Sequence, residues 1–373
     1  MTKAAELAKM GEVLTNSQIG GRRNIVINGA MQVAQRATSV TGLGAADAYH
    51  TVDRFLLSAG NTAGRLTASQ TADGPSGFAN CLKLDCTTAD TSIAAGERLI
   101  VRQSFEGQDV QQIKKGTSDA EKVTVSFYVK GNATATYTCE LVDEDNNRYV
   151  AQEFSVTTSW TKIVKTFVAD TTGAFNDDNA HSMSLNIWLH AGSSFTGGTF
   201  ASNTVHTTAN QRVGDNQTSF FDSTDRTFFL TGLQMELGSQ ATPFEHRSFG
   251  EELRLCQRYF NIEKDGAGGN YKRYAHGGAH TTVQGSCAVP LSTPLRAIPT
   301  IILSGNVNTF LAHSAAGLDA LTSLIIATDS DGGTFNNQIE ITPVVSSGLV
   351  AGDALAVISN NSNSTSIAFD AEL

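Results

Sequence analysis

Between residues 122 and 237 the apolar positions recur with period two. Val123, Val125, Phe127 and Val129 fall on one side of an extended run, with Thr124, Ser126 and Tyr128 on the other. That alternation marks a strand with one buried face. Similar runs lie at 136–142, 161–168, 182–189 and 226–237, parted by turn-forming clusters such as Asp143-Glu-Asp-Asn-Asn147. In the last run, Phe228, Leu230, Gly232 and Gln234 oppose Phe229, Thr231, Leu233, Met235 and Leu237. Many short strands at this spacing predict an antiparallel jelly-roll sandwich over residues 22–248.

The period changes at both ends of this region. Leu7, Met10 and Leu14 fall at i, i+3 and i+7, one stripe of a helix that ends before Gly20-Gly21. So short a helix does not persist alone in water, and residues 1–21 therefore read as a helical anchor, an attachment segment needing a partner. Residues 249–264 carry a second helical pattern. Ser248 and Glu251 have the spacing of a capping box, Leu253, Cys256 and Phe260 form a stripe, and Asp265-Gly-Ala-Gly-Gly269 ends it. Residues 265–373 return to strand patterns at 300–303, 324–328, 338–344, 354–358 and 365–373. The expected fold is mainly β: a helical anchor, a jelly roll, a neck helix at 249–264 and a C-terminal β-sandwich.

The composition agrees with strands and tight turns: 40% hydrophobic, only 17% charged and 34 Gly among 373 residues. The net charge of −10 excludes nucleic acid as a partner, because phosphates need a positive field. The five Cys have neither CxxC spacing nor a His at ligand spacing, so they read as buried free thiols of a protein folded in a reducing cytoplasm rather than as a zinc site. The first 21 residues lack the apolar stretch of a secretory signal.

Motifs for an enzyme are missing: no GxSxG, GxxxxGK[ST], HExxH or GxGxxG occurs. A depolymerising spike would need two acids in a groove, and no long repeat that builds such a groove is present. Asp143, Asp145 and Asn147 space oxygen atoms as a calcium loop does, yet the Gly and closing Glu of an EF-hand are absent. A β-turn accounts for them better, with a structural calcium as the alternative and no other cofactor expected. Trp188 shares a strand face with Asn186 and His190, opposite Leu185, Ile187 and Leu189, which offers an aromatic face for a sugar or a core position. Asn270, Tyr271, Tyr274, His276 and His313 give the C-terminal region uncharged hydrogen-bonding groups suited to glycan hydroxyls, or to a trimer interface.

Four segments resemble one family. Arg22-Arg-Asn-Ile-Val-Ile-Asn-Gly-Ala-Met-Gln-Val-Ala-Gln-Arg36 is similar to the opening of many phage virion structural proteins, and Thr51-Val-Asp-Arg-Phe55 to the segment that follows it. Leu230-Thr-Gly-Leu-Gln-Met-Glu-Leu-Gly238, followed by Ala241-Thr-Pro-Phe-Glu-His-Arg247, resembles the end of their sandwich, and Gly250 to Tyr259 their next helix. The resemblance implies a carbohydrate-binding-module-like jelly roll in a tail-fibre protein, notably of phages of marine bacteria and cyanobacteria. The linear order of elements, with apolar residues on more than one side of the neck helix, leads to an expected homotrimer. Its N-terminus would join other tail or baseplate proteins through Leu7, Met10 and Leu14. Residues 265–373 would meet a host-surface glycan such as lipopolysaccharide, with the protein assembled in the host cytoplasm and carried in the virion tail. A capsid-decorating or capsid-fibre protein is the alternative reading, and a glycan-depolymerising tailspike a further one.

Overall fold

The computed structural model describes residues 3–5, 23–264, 271–326, 338–362 and 365–373. Leu7, Met10 and Leu14, the expected attachment stripe, lie outside the described residues, as does Asn270. The chain divides into two compact units, one running to Glu252 and including Leu373, the other covering Leu253–Glu372.

The first unit contains two six-stranded antiparallel sheets. The strands in chain order are β1 (Ser39–Leu43), β2 (Ala48–Tyr49), β3 (Leu56–Gly60), β4 (Arg65–Thr71), β5 (Cys81–Thr88), β6 (Arg98–Glu106), β7 (Val123–Gly131), β8 (Ala135–Asp143), β9 (Arg148–Val156), β10 (Thr161–Phe167), β11 (His181–Ala191) and β12 (Thr227–Leu237). One sheet has the order β1-β4-β5-β12-β7-β10 and the other β2-β3-β6-β11-β8-β9. Their inner faces enclose one core, to which Val125, Phe127 and Leu230 come from the first sheet and Leu141, Leu185 and Ile187 from the second. Each such side chain, fully removed from water, contributes roughly 1.5–3 kcal/mol before entropy is counted. This is the jelly-roll sandwich that the period-two runs predict.

One alternation breaks where the sequence does not announce it. Strand β12 carries an extra residue between Thr231 and Gln234 against β7, and Gly232 takes φ +62° there. The bulge moves the inward set from Phe228 and Leu230 to Leu233 and Met235, all 1% exposed or less. Gln234 and Glu236, now facing the other way, are buried as well.

Those two polar side chains join a network that gathers the segments resembling virion proteins. Asn24 Oδ1 accepts from the N–H groups of Val26 and Met235, both at 3.0 Å. Glu236 accepts from Thr242 Oγ1 at 2.6 Å, and Gln234 Oε1 from the Glu245 N–H at 2.8 Å. Arg247 donates to the carbonyls of Asn24 and Val26 and sits 3.2 Å from the Glu252 carboxylate, which also accepts from the Asn28 N–H. Nearly every buried polar atom in these segments is paired, as burial requires.

The helix after the sandwich, α1 (Phe249–Gln257), is shorter than the pattern at 249–264 predicts. The Ser248 hydroxyl accepts from the Glu251 N–H at 3.3 Å, so the cap forms as expected. Residues Phe260–Lys264 instead form a strand, β13, because Ser366–Asp370 (β21), far away in sequence, offers them a ladder. The remaining strands are β14 (Arg273–Ala279), β15 (Gly285–Pro290), β16 (Thr300–Leu303), β17 (Phe310–Ser314), β18 (Gly317–Ile326), β19 (Gln338–Val345) and β20 (Ala354–Ser359). Strands β14-β15-β19-β18-β17-β20 close into a barrel, and β13-β21-β16 form a separate sheet. The second β region is thus a closed barrel with a small sheet, where the strand pattern alone suggested a β-sandwich. Among the described residues, no helix is long and apolar enough to cross a membrane.

Candidate functional site

The residues expected to bind glycan do not gather in one place. Tyr274 is 4% exposed, and its hydroxyl bonds Thr365 at the carbonyl (2.9 Å) and the side chain (2.8 Å). Its ring packs edge-on against Phe310, so Tyr274 belongs to the barrel core and not to a surface site. Tyr271 is exposed, with φ +62°. His276 on β14 and His313 on β17 are both paired with Ala356 on β20. They therefore share one outward row of the barrel, about 10 Å apart across two strand spacings.

Trp188 lies on the outer face of the second sandwich sheet with Asn186 and His190, as its parity predicts, but it is fully buried. It packs with Ile100, Val213 and Phe195. The long connection between β11 and β12 folds over this face, and strand alternation cannot reveal such a cover. Trp188 is therefore not a free stacking platform. Trp160, the other tryptophan, is half-buried and has Lys130 Nζ 5.2 Å above its ring.

Around Trp188 the sheet presents an ordered row of polar groups. Asn186 on β11 is the direct partner of Arg102 on β6 and of Glu140 on β8. Arg102 Nε donates to Asn186 Oδ1 at 3.0 Å, and Asn186 Nδ2 donates to Glu140 Oε2 at 3.0 Å. Glu140 Oε2 also accepts from Trp188 Nε1 at 2.7 Å. Arg212, from the covering connection, meets Glu140 with two bonds, at 2.6 and 2.8 Å. Its guanidinium lies 4.2 Å from the Tyr149 ring and 5.0 Å from that of Trp188. Two residues along β11, the Ser184 hydroxyl donates to Glu144 at 2.7 Å and sits 2.8 Å from His181 Nε2. Burial and the nearby Arg102 and Arg54 push the His181 pKa down despite the opposing pull of Glu144, which favours the neutral imidazole at pH 7.

Of this group Asn186, Glu140 and Ser184 are buried, while Arg102, Arg212, Tyr149, His181 and Glu144 reach the surface. Arg102 is held by one nitrogen only. Its terminal nitrogens make no bond to any described residue, so a fixed guanidinium fork faces solvent. Such an array, donors and acceptors locked by mutual bonds, is suited to the hydroxyls of a polar ligand. The strand pattern set Asn186 beside Trp188 but gave no place to Arg102 or Glu140. The available signal was their occurrence, as polar residues, in the middle of otherwise apolar strands.

The Asp143–Asn147 turn, whose alternative reading is a structural calcium site, has its charge balanced from within the chain. Lys115 Nζ lies 2.5 Å from Asp143 and 3.1 Å from Asp170, and it donates to the carbonyls of Thr172 (2.7 Å) and Gly173 (2.6 Å). Asp143 further accepts from the Asn146 backbone and side chain, while Asp145 accepts from Asn176. The ammonium thus occupies an oxygen cage of the kind a hard cation would take. Among the described residues, no group of three or more His, Cys, Asp or Glu is arranged for a metal. All five cysteines are buried thiols, and none is in a disulfide.

The chain matches no protein-family model and no curated protein. Several solved structures of carbohydrate-binding modules resemble it faintly. "CBM4 structure and function" is 11% identical, with TM-score 0.25, over 46% of this chain and 77% of that one. The CBM22-1-CBM22-2 tandem domain from Paenibacillus barcinonensis Xyn10C is 13% identical, with TM-score 0.29, over 95% of this chain and 98% of that one. The family 11 module from Clostridium thermocellum, solved with a β-1,3-1,4-mixed-linked tetrasaccharide, is 11% identical, with TM-score 0.27, over 57% and 94%. Likenesses this distant do not locate a ligand site.

Proposed function

We propose that the chain is a non-enzymatic virion adhesin, a trimeric tail-fibre or spike subunit, which binds a host-surface glycan through the outer-face row of its jelly roll. The observation that carries the glycan reading is the Arg102 fork, fixed by Asn186 and left open to solvent. Planar donors held in place by a second layer lose little entropy on binding, and hydroxyls satisfy them without desolvating a second charge. The tail role rests on the resemblance of residues 22–260 to phage virion proteins. The N-terminal stripe of Leu7, Met10 and Leu14 would join the tail or baseplate.

A second reading places the receptor contact on the barrel, where His276 and His313 share one outward row. Binding of the full chain to host cells, competed by their purified lipopolysaccharide, tests both. Loss on Arg102→Ala with retention on His276→Ala/His313→Ala supports the jelly-roll row, and the reverse pattern moves the site to the barrel. Absence of any competable binding refutes the glycan reading. Trimer mass in light scattering and location on tails by electron microscopy test the assembly.

A further inference from the structure

A recess lies between the 111–119 segment and residues 174–175. It has a volume of about 370 Å³ and is lined by Gln111, Lys114, Lys115, Thr117, Asp119 and the 174–175 backbone and side chains. That is within the range of small-ligand sites, about 300–1,000 Å³.

The walls are fixed. The Gly116 N–H donates to the Asp170 carbonyl at 3.0 Å, and Gln111 Nε2 donates to the Asn176 carbonyl at 3.0 Å. Lys115 ties the same two loops through the Thr172 and Gly173 carbonyls. Gly116, at φ +80°, approaches so closely that a Cβ there would meet Ala174 N at 2.5 Å. A recess with stitched walls needs little ordering when a ligand enters.

What remains unpaired inside it defines the ligand. The Asp119 carboxylate and Gln111 Oε1 bond no described residue and both side chains are exposed, so they face solvent as acceptors open to a ligand's donors. Lys114 is offset by Glu121 at 3.2 Å, and Lys115 by two aspartates. The recess therefore carries no surplus of positive charge for an anion. Phe175 packs against the sandwich core with Lys115 Nζ 5.4 Å from its ring, and its half-buried side chain leaves part of an apolar surface on the recess. We infer that this recess is a separate saccharide site, for one or two neutral sugar rings whose vicinal hydroxyls donate to Asp119 and Gln111 while their C–H face rests on Phe175. It does not depend on the Arg102 row.

The test is saturation-transfer difference NMR on the full chain with glucose, galactose, mannose, maltose and lactose as probes. At least one should give a signal at millimolar concentration, weakened tenfold or more by Asp119→Asn and by Phe175→Ala. Asp119 is exposed, so its variant should keep the wild-type melting temperature. No signal from any of the five sugars, or a signal indifferent to both recess variants, overturns the inference. A signal lost only with Arg102→Ala assigns the sugar to the outer-face row and overturns the inference while sparing the proposed function.

Discussion

Glu140 on β8 and Arg212 in the β11–β12 connection form a two-point ion pair that fastens this connection over the outer face of the sheet. Glu140 is completely buried, and the Arg212 side chain is only 13% exposed. Removing one partner would leave an uncompensated charge against Trp188 and Tyr149. Glu140→Ala should therefore cost about 3–5 kcal/mol in urea unfolding, while Glu140→Ala/Arg212→Met should recover part of that loss. Equal destabilisation in the single and double variants would mean that the pair is not the fastening.

Gly232 should resist substitution. A Cβ there would lie 2.7 Å from Phe78 Cζ and 3.0 Å from Tyr128 Cδ2, at φ +62°. Left-handed backbone alone costs an L-residue about 1–2 kcal/mol, and displacing Phe78 adds to it. Gly232→Ala should lower stability by at least about 2 kcal/mol in urea unfolding. A neutral result would show that the bulge relaxes without cost.

Lys115→Ala should empty the oxygen cage. With Asp143 and Asp170 left facing each other, the variant should lose about 3–5 kcal/mol, and millimolar calcium should raise its melting temperature while leaving the wild type unchanged. A variant blind to calcium would show that the cage fits only an ammonium.

Stability should fall with acid. His50, His181 and His206 are each held below the ordinary value of 6.5, chiefly by burial. Above 6.5 both folded and unfolded imidazoles are neutral and contribute no pH dependence. Below it the unfolded chain takes up protons first, so stability is lost as pH falls from 6.5 towards the folded values. Burial raises Asp170, but bonds from Arg148, Lys115 and the Thr172 N–H outweigh it and hold the group below 3.8, adding a further loss in stronger acid. The urea midpoint should drop between pH 7.5 and 5.5, with a shallower slope in His181→Gln/His206→Gln. A midpoint that rises over this range would contradict the assignment.

The sandwich was legible in the sequence because its rule is local. Val123, Val125, Phe127 and Val129 alternate, and all four are core residues. The parity of Trp188 was equally legible, since Leu185, Ile187 and Leu189 face the inter-sheet core and Trp188 does not. Its burial was not, because Val213 and Phe195 reach it from a connection with no periodicity. The end of α1 and the start of β13 depended on a partner strand about a hundred residues away in sequence. The Arg102 row was missed for a related reason: it runs across three strands that meet only in the folded sheet.

The central claim is that the open guanidinium of Arg102 meets a host-surface glycan. Titration calorimetry of the full chain with the delipidated polysaccharide of host lipopolysaccharide tests it most directly, comparing wild type with Arg102→Ala at matched melting temperature. The account predicts saturable binding by the wild type and at least a tenfold weaker affinity in the variant. Equal affinity in both proteins, or no binding by the wild type, would contradict it.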